Sequence, residues 1–228
     1  MKYYSIALDG PSGSGKSTLA KMLAKSLGFV YLDTGAIYRA VALYVHRAGG
    51  DPGDEQQTLA LLDTCEKIHF RHMNGEQKVF FGEEDVSADI RSPEVSIWAS
   101  FVAAYPAVRT FLLSKQREFA DRCNVVMDGR DIGTVVLPNA SLKIFLNASA
   151  EKRASRRYKE LKARGVEVTL DAVLQDIVER DERDVNREIS PLFQAEDAFL
   201  VDSTELNLEE THKVMLDLAK THLGVEPV

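Results

Sequence analysis

The chain has 228 residues, 45% of them hydrophobic and 28% charged, enough for one α/β core with insertions or a core with a small appended module. This balance excludes an intrinsically disordered chain. Its formal charge of −7 excludes a surface built for broad electrostatic attachment to nucleic acid or an anionic membrane, so any basic cluster has to be local.

From the N-terminus, Ile6-Ala7-Leu8 predicts a strand over Ser5 to Leu8 that feeds directly into Gly10-Pro11-Ser12-Gly13-Ser14-Gly15-Lys16-Ser17. This is the G-x-x-x-x-G-K-[ST] phosphate cradle. Its glycines allow the positive-φ turns that point backbone N–H groups at a phosphate. Lys16 supplies a point charge for the β- and γ-phosphates, and the Ser17 hydroxyl is placed to hold Mg²⁺. Leu19, Met22, Leu23 and Leu27 recur at helical spacing, so a helix over Lys16 to Leu27 follows the loop, the context the motif requires. A nucleoside triphosphate with Mg²⁺ is the expected ligand.

A strand over Phe29 to Leu32 and a helix over Ala36 to Ala48 continue the β-α-β-α rhythm of a parallel sheet covered on both faces. Gly49 to Asp54 breaks it. Ile68 to His72 and Lys78 to Phe81 then predict a hairpin joined through Asn74-Gly75, with a third short strand near Glu84 to Ser87. An antiparallel meander within such a chain reads as an insertion. The core rhythm returns with a helix over Pro106 to Arg122, strands at Val125 to Met127 and Leu142 to Leu146, and helices over Ala150 to Ala163 and Leu170 to Arg187. A last strand at Phe199 to Val201 and a helix from Leu208 complete it.

Cys65 and Cys123 form no C-x-x-C pair, and the five histidines (His46, His69, His72, His212, His222) are scattered. The expectation is two buried thiols, no zinc site, and histidines that are structural or solvent-facing. The lack of a leader pattern and of any 18-residue apolar run predicts a soluble, cytoplasmic protein.

A phosphate cradle alone does not separate a motor, a switch and a kinase. The arginines add to it. Arg180, Arg183, Asp184 and Arg187 fall at i, i+3, i+4 and i+7, along one helix face, with Asp181 and Glu182 expected off that stripe. Arg39 follows the second strand, and Asp128-Gly129-Arg130-Asp131 begins at the end of another, where open α/β sheets gather ligands. Arginine's planar fork clamps phosphate oxygens. So much positive charge fits a kinase whose acceptor is itself a phosphate, an anionic nucleophile that needs neutralisation rather than a strong base. A hydroxyl acceptor, with Asp33 or Asp131 as base, remains an option; a different monophosphate kinase is the nearest alternative within the enzyme class, and a P-loop switch or regulatory binding module the alternative outside it.

Four segments together give the chain a resemblance to the bacterial cytidylate (CMP) kinases of the nucleoside monophosphate kinase group: the phosphate loop, Asp33 to Arg39, Asp128 to Thr134, and Glu179 to Arg187. The resemblance implies a P-loop doubly wound parallel core over residues 1–37 and 107–228. It also implies a monophosphate-binding lobe over 38–106, with an antiparallel insert at about 66–90, and a short helical lid at about 155–168. It implies transfer of the γ-phosphoryl of ATP to CMP or dCMP with Mg²⁺, by a monomer that engages neither nucleic acid nor membrane. By position, Gly10, Pro11, Ser12, Gly13, Ser14, Gly15, Lys16, Ser17, Thr18, Arg153 and Arg157 correspond to the ATP site. Thr34, Arg39, Ser100, Arg109, Arg130, Asp131, Arg180, Asp184 and Arg187 correspond to the CMP site, in which Ser100, Arg109 and Asp131 resemble the cytosine readers, Thr34, Arg39, Arg130 and Arg187 the groups around the monophosphate, and Arg180 and Asp184 the ribose contacts. Lys16, Arg130, Arg157 and Arg187 are the implied catalytic groups.

Overall fold

The structure, a computed structural model, describes residues 3–73 and 76–228. The chain divides into two units, one formed by Met1–Val30 with Cys123–Val228, the other by Tyr31–Arg122.

The first unit is built on a parallel sheet. Strands β1 (Ser5–Asp9), β6 (Val125–Asp128), β7 (Leu142–Asn147) and β8 (Phe199–Asp202) lie in the order β6-β1-β7-β8, and the chain leaves this unit at Val30, the first residue of β2 (Val30–Asp33). Ile6 pairs with Val126 and Leu142, and Ile144 with Phe199. The inner strands are largely apolar, as in a sheet buried between layers, and Ile6, Leu8, Val126, Met127, Ile144 and Leu146 are buried; Lys143 of β7 is buried too and pairs with Asp197 at 2.8 Å. Helix α1 (Lys16–Leu27) packs against β6 and against α8 (Leu208–Leu223), which a reciprocal Asn207–Glu210 capping box starts. Helices α6 (Ala150–Ala163) and α7 (Leu170–Asn186) form a hairpin with its own small core of Ala154, Val173 and Ile177.

In the second unit, α2 (Thr34–Arg47), α3 (Glu55–Leu62), α4 (Pro93–Val102) and α5 (Pro106–Arg122) accompany an antiparallel sheet of β3 (Ile68–Met73), β4 (Glu76–Phe81) and β5 (Glu84–Asp85). The expected hairpin and third strand are there, while its Asn74-Gly75 turn lies outside the described residues.

Several boundaries differ from the sequence reading. Helix α2 starts two residues early, at Thr34, because the Asp33 carboxylate caps it by accepting from the Ala36 N–H. Helix α7 stops at Asn186, and Arg187 is already extended at ψ 138°. The sequence reading placed no element at α3 or α4. Helix α3 buries only Thr58, so its apolar stripe is faint, and α4 is apolar on most of its circumference, with only Ser96 and Ser100 on its narrow polar side; both nevertheless have cap signals, Asp54 ahead of Gln57 and Ser92 ahead of Pro93. Cys65 is buried as expected, with burial pushing its thiol up to about 12, whereas Cys123 is only half-buried. Among the described residues no single helix is long and apolar enough to cross a membrane.

Candidate active site

The phosphate loop of the first unit runs from β1 into α1 with φ of +148°, +75° and +92° at Gly10, Gly13 and Gly15. Gly10 is the least replaceable: a Cβ there would stand 2.0 Å from the Leu146 carbonyl oxygen. Lys16 is buried, and its ammonium donates to the Pro11 carbonyl at 2.6 Å and to Ser14 Oγ at 3.3 Å, which folds the side chain back over its own loop. Burial lowers its pKa well below the ordinary lysine value, and the nearby Arg130 charge adds to this against the pull of Asp128, Asp184 and Asp9. A phosphate anion at the loop would supply the missing counter-charge.

Ser17 Oγ donates to Asp128 Oδ2 at 2.8 Å. Asp128, buried at the end of β6, was not among the site residues expected from sequence, although it opens one of the motifs; the signal was an acidic residue ending the strand beside the phosphate-loop strand. Asp9, the last residue of β1, was missed as well. It accepts from the N–H of Ile132 at 2.8 Å and of Gly133 at 2.7 Å. Burial pushes its carboxyl up to about 6, with those two N–H groups opposing the shift. The backbone it grips is a single π-turn over Ile132–Val136, in which Val136 N–H bonds back to the Asp131 carbonyl. Asp9 thus fixes the segment that immediately follows Arg130 and Asp131.

Arg130 donates from Nε to Asp184 Oδ2 at 2.7 Å, joining the end of β6 to α7. Burial would lower the pKa of Arg130, but Asp184, through charge and hydrogen bond, and Asp128 outweigh it and raise it. Burial likewise raises that of Asp184, and the charges of Arg130, Arg180 and Arg187 together with the Arg130 hydrogen bond overcome this and hold it low. Arg187 donates to the Ser190 carbonyl and lies 3.9 Å from Asp131. Four of the expected acceptor residues, Arg130, Arg180, Asp184 and Arg187, therefore gather in one electrostatic cluster, with Asp131 at its edge.

The arginines of α6 divide by depth. Arg153 is buried and fully engaged: Nε bonds the Ala148 carbonyl at 2.8 Å, one terminal nitrogen bonds the Ser12 carbonyl at 2.8 Å, and the other bonds Asp181 Oδ2 at 2.6 Å. It holds the backbone of the phosphate loop from behind. Asp181 is correspondingly not idle: it lies one helical turn beyond Ile177, on the face of α7 that packs against α6, while Arg183 is exposed. Arg156 bonds the Ser203 carbonyl at 2.6 Å and reaches the Ser14 carbonyl at 3.5 Å. Arg157 is half-buried and pairs with Glu160 at the surface at 2.9 Å.

Within the second unit, Asp33 and Arg39 form an ion pair at 2.9 Å, and Thr34 is the buried first residue of α2. Arg109 is buried on α5, donating to the Ala103 carbonyl at 3.1 Å with its guanidinium 5.7 Å from the Tyr38 ring centre. Ser100, half-buried on α4, donates to the Ser96 carbonyl at 3.3 Å. Four residues expected to read the acceptor thus occur on three helices of this unit.

Residues 6–221 match the family model described as cytidylate kinase. A cytidylate kinase of Caldicellulosiruptor bescii is 48% identical over 218 residues, covering 96% of each chain. One of Streptococcus pneumoniae is 50% identical over 210 residues, covering 92% of this chain and 94% of its own. Among solved structures, an uncharacterized protein from Eubacterium ventriosum shares the fold at a TM-score of 0.52 and 13% identity, covering 96% of this chain and 99% of that one. The chain belongs to the cytidylate kinase family and is a nucleoside monophosphate kinase that phosphorylates CMP with ATP.

Proposed function

We propose that the enzyme accepts dCMP as well as CMP, uses Mg-ATP, and works as a cytoplasmic monomer by direct in-line transfer with no covalent enzyme intermediate. The observation that carries the site assignment is the gathering of Arg130, Arg180 and Arg187 about the Asp184 carboxylate in the unit that also holds the phosphate loop. An acceptor phosphate is a nucleophile already, so the protein's task is to cancel its charge and align it with the γ-phosphate. The arginines do this, and Lys16 with Arg157 and Arg187 stabilises the charge that spreads over the transferred group. Arg153 acts one step away, by holding the Ser12 carbonyl and hence the loop.

The donor set suits Mg²⁺. The Ser17 hydroxyl and the Asp128 carboxylate beside it are hard oxygens, and among the described residues no group of three or more His, Cys, Asp or Glu could hold a metal ion unaided. This fits an ion that takes its remaining ligands from phosphate and water. Bound there, Mg²⁺ would neutralise phosphate charge.

Residues 38–106 act as the monophosphate-binding lobe and residues 1–37 with 107–228 as the core. The segment over about 155–168 acts as a lid that excludes water from the γ-phosphoryl. Ser100, Arg109 and Asp131 read cytosine: a carboxylate accepts from its amine, and uracil would leave that carboxylate facing an acceptor.

A coupled assay of ADP release with Mg-ATP and CMP, dCMP, UMP, AMP, GMP or shikimate, run beside an Asp131→Ala variant, tests this. CMP and dCMP should dominate, and the variant should lose that preference. A variant that keeps full cytosine preference removes Asp131 from base reading, and ADP release that no acceptor stimulates would end the kinase assignment altogether.

A further inference from the structure

His72 on β3 and Gln77 on β4 are directly opposite partners in the antiparallel ladder, so their side chains share one face of the sheet. Both reach the backbone of one short segment. His72 Nε2 bonds the Tyr31 carbonyl at 2.6 Å, and because a carbonyl only accepts, that nitrogen carries the proton. The Gln77 carboxamide accepts from the Asp33 N–H at 2.7 Å and donates to the Asp33 carbonyl at 3.3 Å. A carboxamide carries an acceptor and a donor side by side and so satisfies both backbone groups of a single residue. Two side chains of the hairpin thus clamp three backbone groups over Tyr31 to Asp33.

What they clamp carries function. Asp33 Oδ1 caps α2 through the Ala36 N–H at 2.8 Å, and Oδ2 accepts from an Arg39 terminal nitrogen at 2.9 Å. A Cβ on Gly35 would come within 3.0 Å of the Arg39 guanidinium and 3.1 Å of Asp33 Oδ1, so glycine leaves the pair its room. Arg39 Nε is buried with no hydrogen-bond partner among the described residues, a donor that an incoming oxyanion would satisfy. The Asp33 carboxylate moves with its backbone, and a guanidinium fork recognises phosphate only in a narrow range of positions.

We propose that His72 and Gln77 are positioning residues for acceptor binding: they fix the backbone of Asp33, whose carboxylate holds the Arg39 guanidinium in place for the phosphate of the monophosphate. This rests on the assignment of Arg39 to that phosphate made above. It gives the inserted hairpin a task in the reaction without requiring it to touch the substrate.

The test uses Gln77→Leu, His72→Phe, Arg39→Ala and the double variant Gln77→Leu/Arg39→Ala, with KM for CMP and for ATP, kcat and melting temperature measured for each. Gln77→Leu, which removes two buried hydrogen bonds, should raise KM for CMP about five-fold, and His72→Phe, which removes one from a more exposed side chain, about two-fold, both leaving KM for ATP unchanged. In the Arg39→Ala background, Gln77→Leu should add nothing, a non-additivity that a merely structural effect would not produce. His72 is the more exposed of the two, so His72→Phe keeps the comparison available should Gln77→Leu fold poorly. Folded clamp variants with unchanged KM for CMP, or a Gln77→Leu effect of equal size with and without Arg39, overturn the proposal. Arg39→Ala with unchanged KM for CMP removes the phosphate assignment of Arg39 itself, and the proposal with it.

Discussion

The two units hold their charged groups in different ways. In the first, four functional side chains are committed before substrate arrives: Arg130 to Asp184, Arg153 to Ser12 and Asp181, Asp9 to two backbone N–H groups, and Lys16 to its own loop. In the second, Arg39 has a carboxylate partner and a buried Nε without a hydrogen bond among the described residues, and Ser100 donates to the Ser96 carbonyl of its own helix. The contrast teaches that chemistry and recognition place different demands on a fold. Phosphoryl transfer is accelerated by fixed dipoles and charges that need no reorganisation, so the first unit is rigidly cross-linked. Reading an acceptor requires donors that remain to be satisfied.

If the contrast is real, the largest loss on breaking it should come from the cross-linked side. Arg130→Met removes a cluster charge and leaves Asp184 buried beside fewer cations. We expect kcat/KM for CMP to fall about a hundred-fold and unfolding stability to drop by about 3 kcal/mol, read from steady-state kinetics and urea melts. An inactive variant of unchanged stability would mean that the pair with Asp184 does not hold the fold.

A smaller effect is expected at Asp9. Its carboxyl is raised to about 6 from an ordinary value of 3.8. The folded state therefore binds the proton more tightly than the unfolded one, and this group's contribution becomes less favourable as pH rises from about 4 to about 6. Against an Asp9→Asn variant, whose side chain does not titrate, the parent should gain relative stability as pH falls through that window. Equal pH profiles of melting temperature would show that Asp9 is not raised.

The smallest effect separates the two arginines of α6. Among the described residues Arg157→Ala breaks only a surface pair with Glu160, so it should change stability by less than about 0.5 kcal/mol while raising KM for ATP, a split visible by comparing thermal melts with kinetics. A variant that melts early would place Arg157 with Arg153 among the braces of the loop.

Much of this was legible in the chain. The phosphate loop, the strand and helix order of the core, and the hairpin were readable because glycine conformations, buried strands and amphipathic periods are local properties. The helices α3 and α4 were not, since one has almost no apolar face and the other is mostly apolar with only a narrow Ser96–Ser100 polar stripe. The residues of the site were mostly nameable from four motifs, but their partners were not.

The sequence by itself determined the nucleotide loop, the family and the supply of arginines, because each depends on residue types within a dozen positions. Only the tertiary structure decided that Arg153 turns beneath the loop, that Asp9 grips a π-turn 123 residues away, and that a hairpin glutamine holds Asp33 across 44 residues. Hydrogen bonds of that kind join groups whose distance in space bears no relation to their distance along the chain, so no local pattern announces them.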